Sequence, residues 1–282
     1  MNKLFILFSL PPILKGFIAM IISGAAFPLC GVMVLRLNLV PMRYMLMHGV
    51  ILGGAIALAL NLPLMPVTIA VNLILIFVLL SITNNNSKGN RNFSGSSAAT
   101  MVLSMALASL IMHLADVPAK DTLDLLWGSP FALSYVDIII LCALAAVLCL
   151  YIILNYRNIQ NIFFSTEIAR TMGIKVQFHY STMVILVAVT VAIAMKLLGA
   201  FLIDALLILP VICTSTILQK LNRSGLKRLF ITSMIIGCIL SSGGYICAVM
   251  LDFPPTGTIA LLAGLCFAIS KILNIKGKRK EK

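Results

Sequence analysis

The sequence predicts an all-α polytopic membrane protein with eight or nine transmembrane helices. Three observations carry this. Of 282 residues, 61% are hydrophobic and 10% charged, against about 25% charged in a soluble domain, and no soluble fold covers that much apolar surface. The apolar runs are about 20 residues long, enough for a helix to cross the hydrocarbon core. None shows the alternation, over segments of roughly ten residues, that marks a membrane β-barrel. Lys and Arg, which set the net charge of +13, gather between these runs and in the tail, as the positive-inside rule requires. No basic patch is interleaved with stacking aromatics, so membrane lipid is an expected partner and nucleic acid is not.

The runs follow one another at 16–35, 44–61, 63–82, 98–115, 133–155, 179–196, 198–219, 229–251 and 257–274. They make nine spans, or eight if the tightly linked second and third do not both cross. Before them, Leu4 to Leu10 is interrupted by Pro11-Pro12 and reads as an uncleaved interfacial lead-in. Residues 1–282 are expected to form a single transmembrane domain. The basic tail from Lys276 to Lys282 places the C-terminus inside, with Lys220, Arg223, Lys227, Arg228, Lys88 and Arg91 on the same side. The 116–132 loop, with Asp116, Asp121 and Asp124 against Lys120 alone, fits the outside. Seven Cys lie in apolar runs without a C-x-x-C pair, so they are expected to be core residues rather than a disulfide or zinc framework.

Residues 156–178 form a polar island between two apolar runs. It contains Glu167, the only glutamate before the extreme C-terminus, and is expected to be a short cytosolic helix stopped by Gly173. A chain that displays one such helix uses it to touch something in the cytosol. Gly49, Gly53 and Ala57 recur at intervals of four, which bares one face of the second span for close helix packing, and Gly243-Gly244 does the same in the eighth.

Polar groups inside spans mark candidate sites. Asp204 sits deep in the seventh span, where a charged side chain costs at least about 2.5–3.5 kcal/mol and so faces a cavity or a partner. Pro210 lacks a backbone N–H and is expected to bend or break that span. An acid beside a broken helix is one way transporters build a cation site. His48 in the second span is a candidate metal ligand or path residue. His113 near Asp116 reads as a headgroup-level histidine, with an external metal-docking pair as the alternative. His179, opening the sixth span, is given no role. There is no P-loop, no H-E-x-x-H and no Ser-His-Asp set, so neither ATP hydrolysis nor another catalytic activity is expected of this chain.

Five stretches in order resemble the ABC-3 family of metal-ion permeases, the membrane subunits of bacterial zinc, manganese and iron importers. Glu167-Ile168-Ala169-Arg170-Thr171-Met172-Gly173 resembles the family's E-x-A-x-x-x-G coupling segment, with Ser165 where an acid often stands. The run from Leu198 to Pro210 resembles V-G-x-L-L-x-x-A-L-L-x-x-P. Leu251 to Gly257 resembles the D-x-P-x-G turn, with one residue more. Leu126 to Asp137 resembles Y-L-F-G-x-x-x-x-V-S-x-x-D, and Gly95 to Ala99 matches a small, polar helix start. The second span departs from the family's G-D-A-x-S-H-x-x-L-P-G. His48 matches its His, but Tyr44 stands for the Asp, Met47 for the Ser and Leu52 for the Pro.

The resemblance implies a permease of the ABC-importer type in the bacterial inner (plasma) membrane. It implies a cytosolic ABC ATPase on the 156–178 helix through Glu167, Ala169 and Gly173, an extracytoplasmic metal-binding protein, and a second permease copy or homologue. No permanently bound cofactor is implied. The transported ion is zinc first, then manganese or iron. One missing acid and one extra acid suggest that Asp204 replaces the family's carboxylate and shares the path with His48. From the span positions, His48 lies about 7 Å above the inner edge and Asp204 about 9 Å below the outer edge, at roughly 1.5 Å per residue, so the two meet only if a helix is displaced or broken. The rival readings are an ion-coupled secondary transporter with Asp204 as its coupling acid, and a membrane scaffold without transport.

Overall fold

The computed structural model describes residues 10–84, 93–118, 120, 128, 130–221 and 225–280. Residues 1–9, Lys88, Arg91, Asp121, Asp124, Trp127, Arg223 and the last two residues lie outside the described residues. The helices with described bounds are α1 (Pro11–Arg36), α2 (Val40–Ala59), α3 (Leu64–Asn84), α4 (Phe93–Leu114), α5 (Tyr135–Leu154), α6 (Tyr156–Phe164), α7 (Thr166–Thr171), α8 (Val176–Leu198), α9 (Ala200–Lys220), α10 (Leu226–Leu251) and α11 (Pro255–Lys280). A 3-10 turn, Pro130–Ala132, precedes α5. Among the described residues there is no strand, and nine helices are long and apolar enough to cross a membrane. The second and third apolar runs are two separate helices, α2 and α3, which resolves eight against nine in favour of nine candidate spans.

One device ends five of these helices. Asn38, Asn61, Asp116 and Asp252 have φ of 53°, 53°, 49° and 53°, and Gly173 has φ of 77°. Asn, Asp and Gly are the residues that tolerate this left-handed conformation. In each case the next amide reaches back five residues: Leu39 N–H to Val34 O at 2.8 Å, Leu62 to Ala57 at 2.8 Å, Val117 to Met112 at 3.0 Å, Phe253 to Ala248 at 2.9 Å and Ile174 to Ala169 at 3.1 Å. This closure satisfies carbonyls that a helix end leaves orphaned, which matters most where no water is at hand.

The start of α5 is a reciprocal cap. The Ser134 N–H and Oγ–H both donate to Asp137 Oδ2, at 2.9 and 2.7 Å, and the Asp137 N–H donates back to Ser134 Oγ at 3.2 Å. The S-x-x-D part of the fourth resemblance is therefore a capping box, with Asp at its third helical position. Asp137→Ala is expected to cost about 1 kcal/mol through this cap. Asp137→Glu should recover most of it, read as thermal unfolding in detergent.

The Cα framework divides into two compact units, Met1–Val32 with Ser129–Leu154 and Phe201–Lys282, and Met33–Gly128 with Asn155–Ala200. Neither is continuous in sequence, so no single cut of the chain separates them.

In the second unit, α2, α3 and α4 pack on one another and α8 packs on α2 and α3. The α2–α3 pair is antiparallel and fixed by bare glycines. A Cβ added at Gly53 would come within 2.7 Å of Thr68 Cα, and one at Gly49 would overlap Asn72 Oδ1 and reach 2.6 Å from Leu75 Cδ1. The positions expected to allow close packing do so here. On the other side of α2, Leu52 and Ala55 pack with Ala108 of α4.

In the first unit, α1 and α10 meet at Gly24 and Gly237. A Cβ at Gly24 would fall 2.7 Å from Gly237 O, and one at Gly237 would overlap Gly24 O and lie 2.6 Å from Pro28 Cγ. Hydroxyls of α10 donate to carbonyls of α1: Ser241 Oγ to Met20 O at 2.5 Å and Tyr245 Oη to Ile13 O at 3.0 Å. Of the eighth span's glycine pair, only Gly244 makes a close approach, to Ile259 of α11, while Gly243 faces open space. The cysteines also divide. Cys30 and Cys213 are core residues, but Cys142 and Cys247 are exposed, on helix faces whose apolar side chains suit lipid contact.

Candidate functional site

The polar island is two helices rather than one. Asn155 separates α6 from α5, and the buried Ile159 and Ile162, three residues apart, seat one face of α6. The chain then becomes extended at Ser165, with φ −159° and ψ 124°, and its Oγ accepts the Ile168 N–H at 3.4 Å. Ser165 is the N-cap of α7, a role that needs non-helical backbone and explains the break. An acid at that position would cap equally well. Glu167 follows in the first turn of α7, exposed, where a negative charge suits the helix dipole. Ala169 is fully buried and anchors α7. Gly173 ends it as expected, its φ of 77° closed by its own N–H to Arg170 O at 3.0 Å. Phe164, Ile168 and Met172 stand exposed around Glu167.

His179, without a role on sequence grounds, ties this segment to a span. It is buried near the start of α8, and its Nε2 lies 3.2 Å from Asn158 Nδ2 on α6. Nothing local in the sequence pairs residues 21 apart; the amphipathic face of α6 brings Asn158 there.

On α2, His48 is half-buried, and its Nδ1 lies 2.8 Å from Tyr44 O. With that carbonyl as acceptor, Nδ1 carries a proton, which leaves Nε2 as the nitrogen that a metal would take in the neutral ring. Tyr44 is 43% exposed. Arg43 is buried, with its guanidinium carbon 4.4 Å from the Tyr44 ring centroid. Asp204 is half-buried one turn into α9. His48 belongs to the second unit and Asp204 to the first. Among the described residues, no group of three His, Cys, Asp or Glu side chains could hold a metal ion. His113 and Asp116 are both exposed at the end of α4.

Pro210 does not break its span: α9 runs through it from Ala200 to Lys220. A proline removes one N–H and leaves the rest of the ladder intact, and the freed carbonyls can be re-satisfied by neighbours. The interruption lies eleven residues earlier, at Gly199, whose φ of 88° and ψ of 157° separate α8 from α9. That conformation is essentially restricted to glycine. Gly128 rests against the same junction, where any side chain on it would overlap the Leu198–Gly199 backbone.

Comparison with known proteins decides the family. The model of the ABC 3 transport family matches residues 9–274. The chain belongs to the ABC 3 transport family. It is a multi-pass membrane protein with the fold of an ABC permease. This ABC 3 chain is 25% identical over 167 residues to the high-affinity zinc uptake system membrane protein ZnuB of Buchnera aphidicola subsp. Baizongia pistaciae, covering 59% of this chain and 62% of that one. It is 31% identical over 151 residues to the manganese transport system membrane protein MntC of Halalkalibacterium halodurans, covering 53% and 50%. The chain thus matches between half and two thirds of these relatives' length. The solved structure of PsaBC from Streptococcus pneumoniae in complex with Fab matches 95% of this ABC 3 chain and 94% of its own, with TM-score 0.79 and 21% identity. That likeness bears on the fold.

Proposed function

We propose that the chain is the membrane-spanning permease subunit of an ABC importer for a divalent transition metal, in the inner (plasma) membrane. The family match across residues 9–274 carries this reading. Zinc is the first candidate and manganese or iron the next, since an imidazole and a carboxylate suit all three. The relatives named for zinc and for manganese support both of the first two.

The chain itself supplies conformations and a shielded cation path, and a separate cytosolic ATPase supplies the work. The ATPase docks on α6 and α7 around Glu167. Closure of the ATPase pair on ATP moves that segment, and the Asn158–His179 contact passes the motion to α8. An extracytoplasmic metal-binding protein delivers the ion, and a second permease copy or homologue completes the pore. His48 is the path residue proposed in the second unit, through Nε2, and Asp204 the one proposed in the first, through its carboxylate.

A mild-detergent pull-down of the tagged chain with mass spectrometry tests the assembly. A stoichiometric P-loop ATPase, lost on Glu167→Lys, supports it. An intact preparation without an ATPase, from cells whose uptake is abolished by an ionophore, would replace it with a secondary transporter. Asp204→Asn is expected to lower metal uptake at least tenfold with unchanged expression. Unchanged uptake would remove Asp204 from the path.

A further inference from the structure

Asn72 is the least reconciled polar side chain in the second unit. It lies on α3, 1% exposed. Among the described residues, neither its Oδ1 nor its Nδ2 has a hydrogen-bond partner. The nearby Thr68, one turn away on the same face, is satisfied by donating to Met65 O at 3.0 Å. A buried amide left unpaired is costly, more so where lipid surrounds the protein, so such groups are held by water or a ligand.

The amide has a defined direction. Its Oδ1 is the atom that a Cβ on Gly49 would overlap, so the side chain fills the space where a larger residue on α2 would stand. Gly49 is the residue after His48, with Cα atoms about 3.8 Å apart. Asn72 Oδ1 therefore lies against the turn of α2 that also carries His48. Another buried polar group without a partner among the described residues, the Ser97 hydroxyl, is on α4, which packs on both α2 and α3. A strip of small residues with one satisfied threonine is ordinary helix packing. The same strip with an unpaired amide pointed into it is a polar site.

We propose that Asn72 lines the cation path at the level of His48, its amide oxygen meeting the divalent transition-metal ion as it passes. This rests on the transport reading above. An amide oxygen is a hard, neutral donor that suits a partly hydrated divalent ion. A single amide oxygen carries no charge and holds such an ion weakly enough to let it go, which passage requires.

The test uses the full chain with its ATPase partner, in cells without other zinc uptake. Asn72→Leu is expected to reduce uptake of zinc, supplied as its chloride, at least tenfold. Asn72→Asp should retain uptake and alter the zinc-to-manganese preference. Asn72→Cys in native membranes should react with a cationic methanethiosulfonate reagent. Peptide mass spectrometry should find residue 72 labelled at least tenfold more than the buried Cys30, and zinc should suppress the label. A residue 72 as unreactive as Cys30, with Asn72→Leu transporting like the unmodified chain, overturns the proposal and leaves the transport reading standing. If the unmodified chain takes up no metal, the transport reading fails on that control. The label and its suppression by zinc then decide the Asn72 site alone. If Asn72→Leu does not fold, the cysteine label likewise decides.

Discussion

Glu167→Lys is expected to abolish ATP-driven metal uptake, by more than tenfold, in a protein that still folds and inserts. Glu167 is exposed on a six-residue helix and its side chain supports no span. The substitution reverses the charge in the first turn of α7, where the helix dipole disfavours a cation by about 0.3–1 kcal/mol. That is too little to unfold nine spans, but it inverts the charge at the centre of the exposed Phe164, Ile168 and Met172. Gly173→Leu should give the same phenotype by another route. Its φ of 77° costs a side chain about 1–2 kcal/mol, although the space around it is open, so strain falls on the α7 closure alone. Uptake, ATPase co-purification and size-exclusion profile are the three readouts. Normal uptake with the ATPase still bound would falsify the docking role.

Gly237→Val is expected to prevent the first unit from forming. Its Cβ would overlap the Gly24 carbonyl, and Pro28 blocks retreat on the same side. Backbone cannot yield as a side-chain tip can, so the overpacking cost of about 1–3 kcal/mol is a lower expectation. The matched control is Gly243→Ala on the same helix, which faces open space and should gain up to about 1 kcal/mol of helix propensity. Detergent thermal shifts of opposite sign at positions six apart would locate the α1–α10 contact. Similar shifts would place it elsewhere.

The spans were legible because each is an unbroken apolar run, and hydropathy needs no tertiary information. Gly173 was legible for a similar reason: a glycine after a short polar helix marks the left-handed closure. Gly49 and Gly53 declared a packing face through their spacing alone. The rest depended on partners distant in sequence. Ser165 is an ordinary serine until its φ and ψ make it a cap. Asn38, Asn61 and Asp252 were signals available but unread, each a residue suited to left-handed backbone at the end of an apolar run. Pro210 leaves its helix continuous because one missing donor does not undo the rest of the ladder. Asn158 with His179, and Asn72 with Gly49, join different helices, and no local pattern announces them.

The crossing of α1 with α10 has a consequence for biogenesis. Gly24 leaves the ribosome long before Gly237, and at about 5–20 residues per second the delay is roughly 10–40 s. During that interval Met20 and Ile13 have no hydroxyl donor from Ser241 or Tyr245, and the groove at Gly24 has no occupant. The second unit, whose last segment ends at Ala200, can assemble while α10 is still unsynthesised. A nascent chain arrested after α9 should therefore leave α1 open to the insertion machinery or to quality-control proteases, and release of the last two helices is the step that ends that exposure.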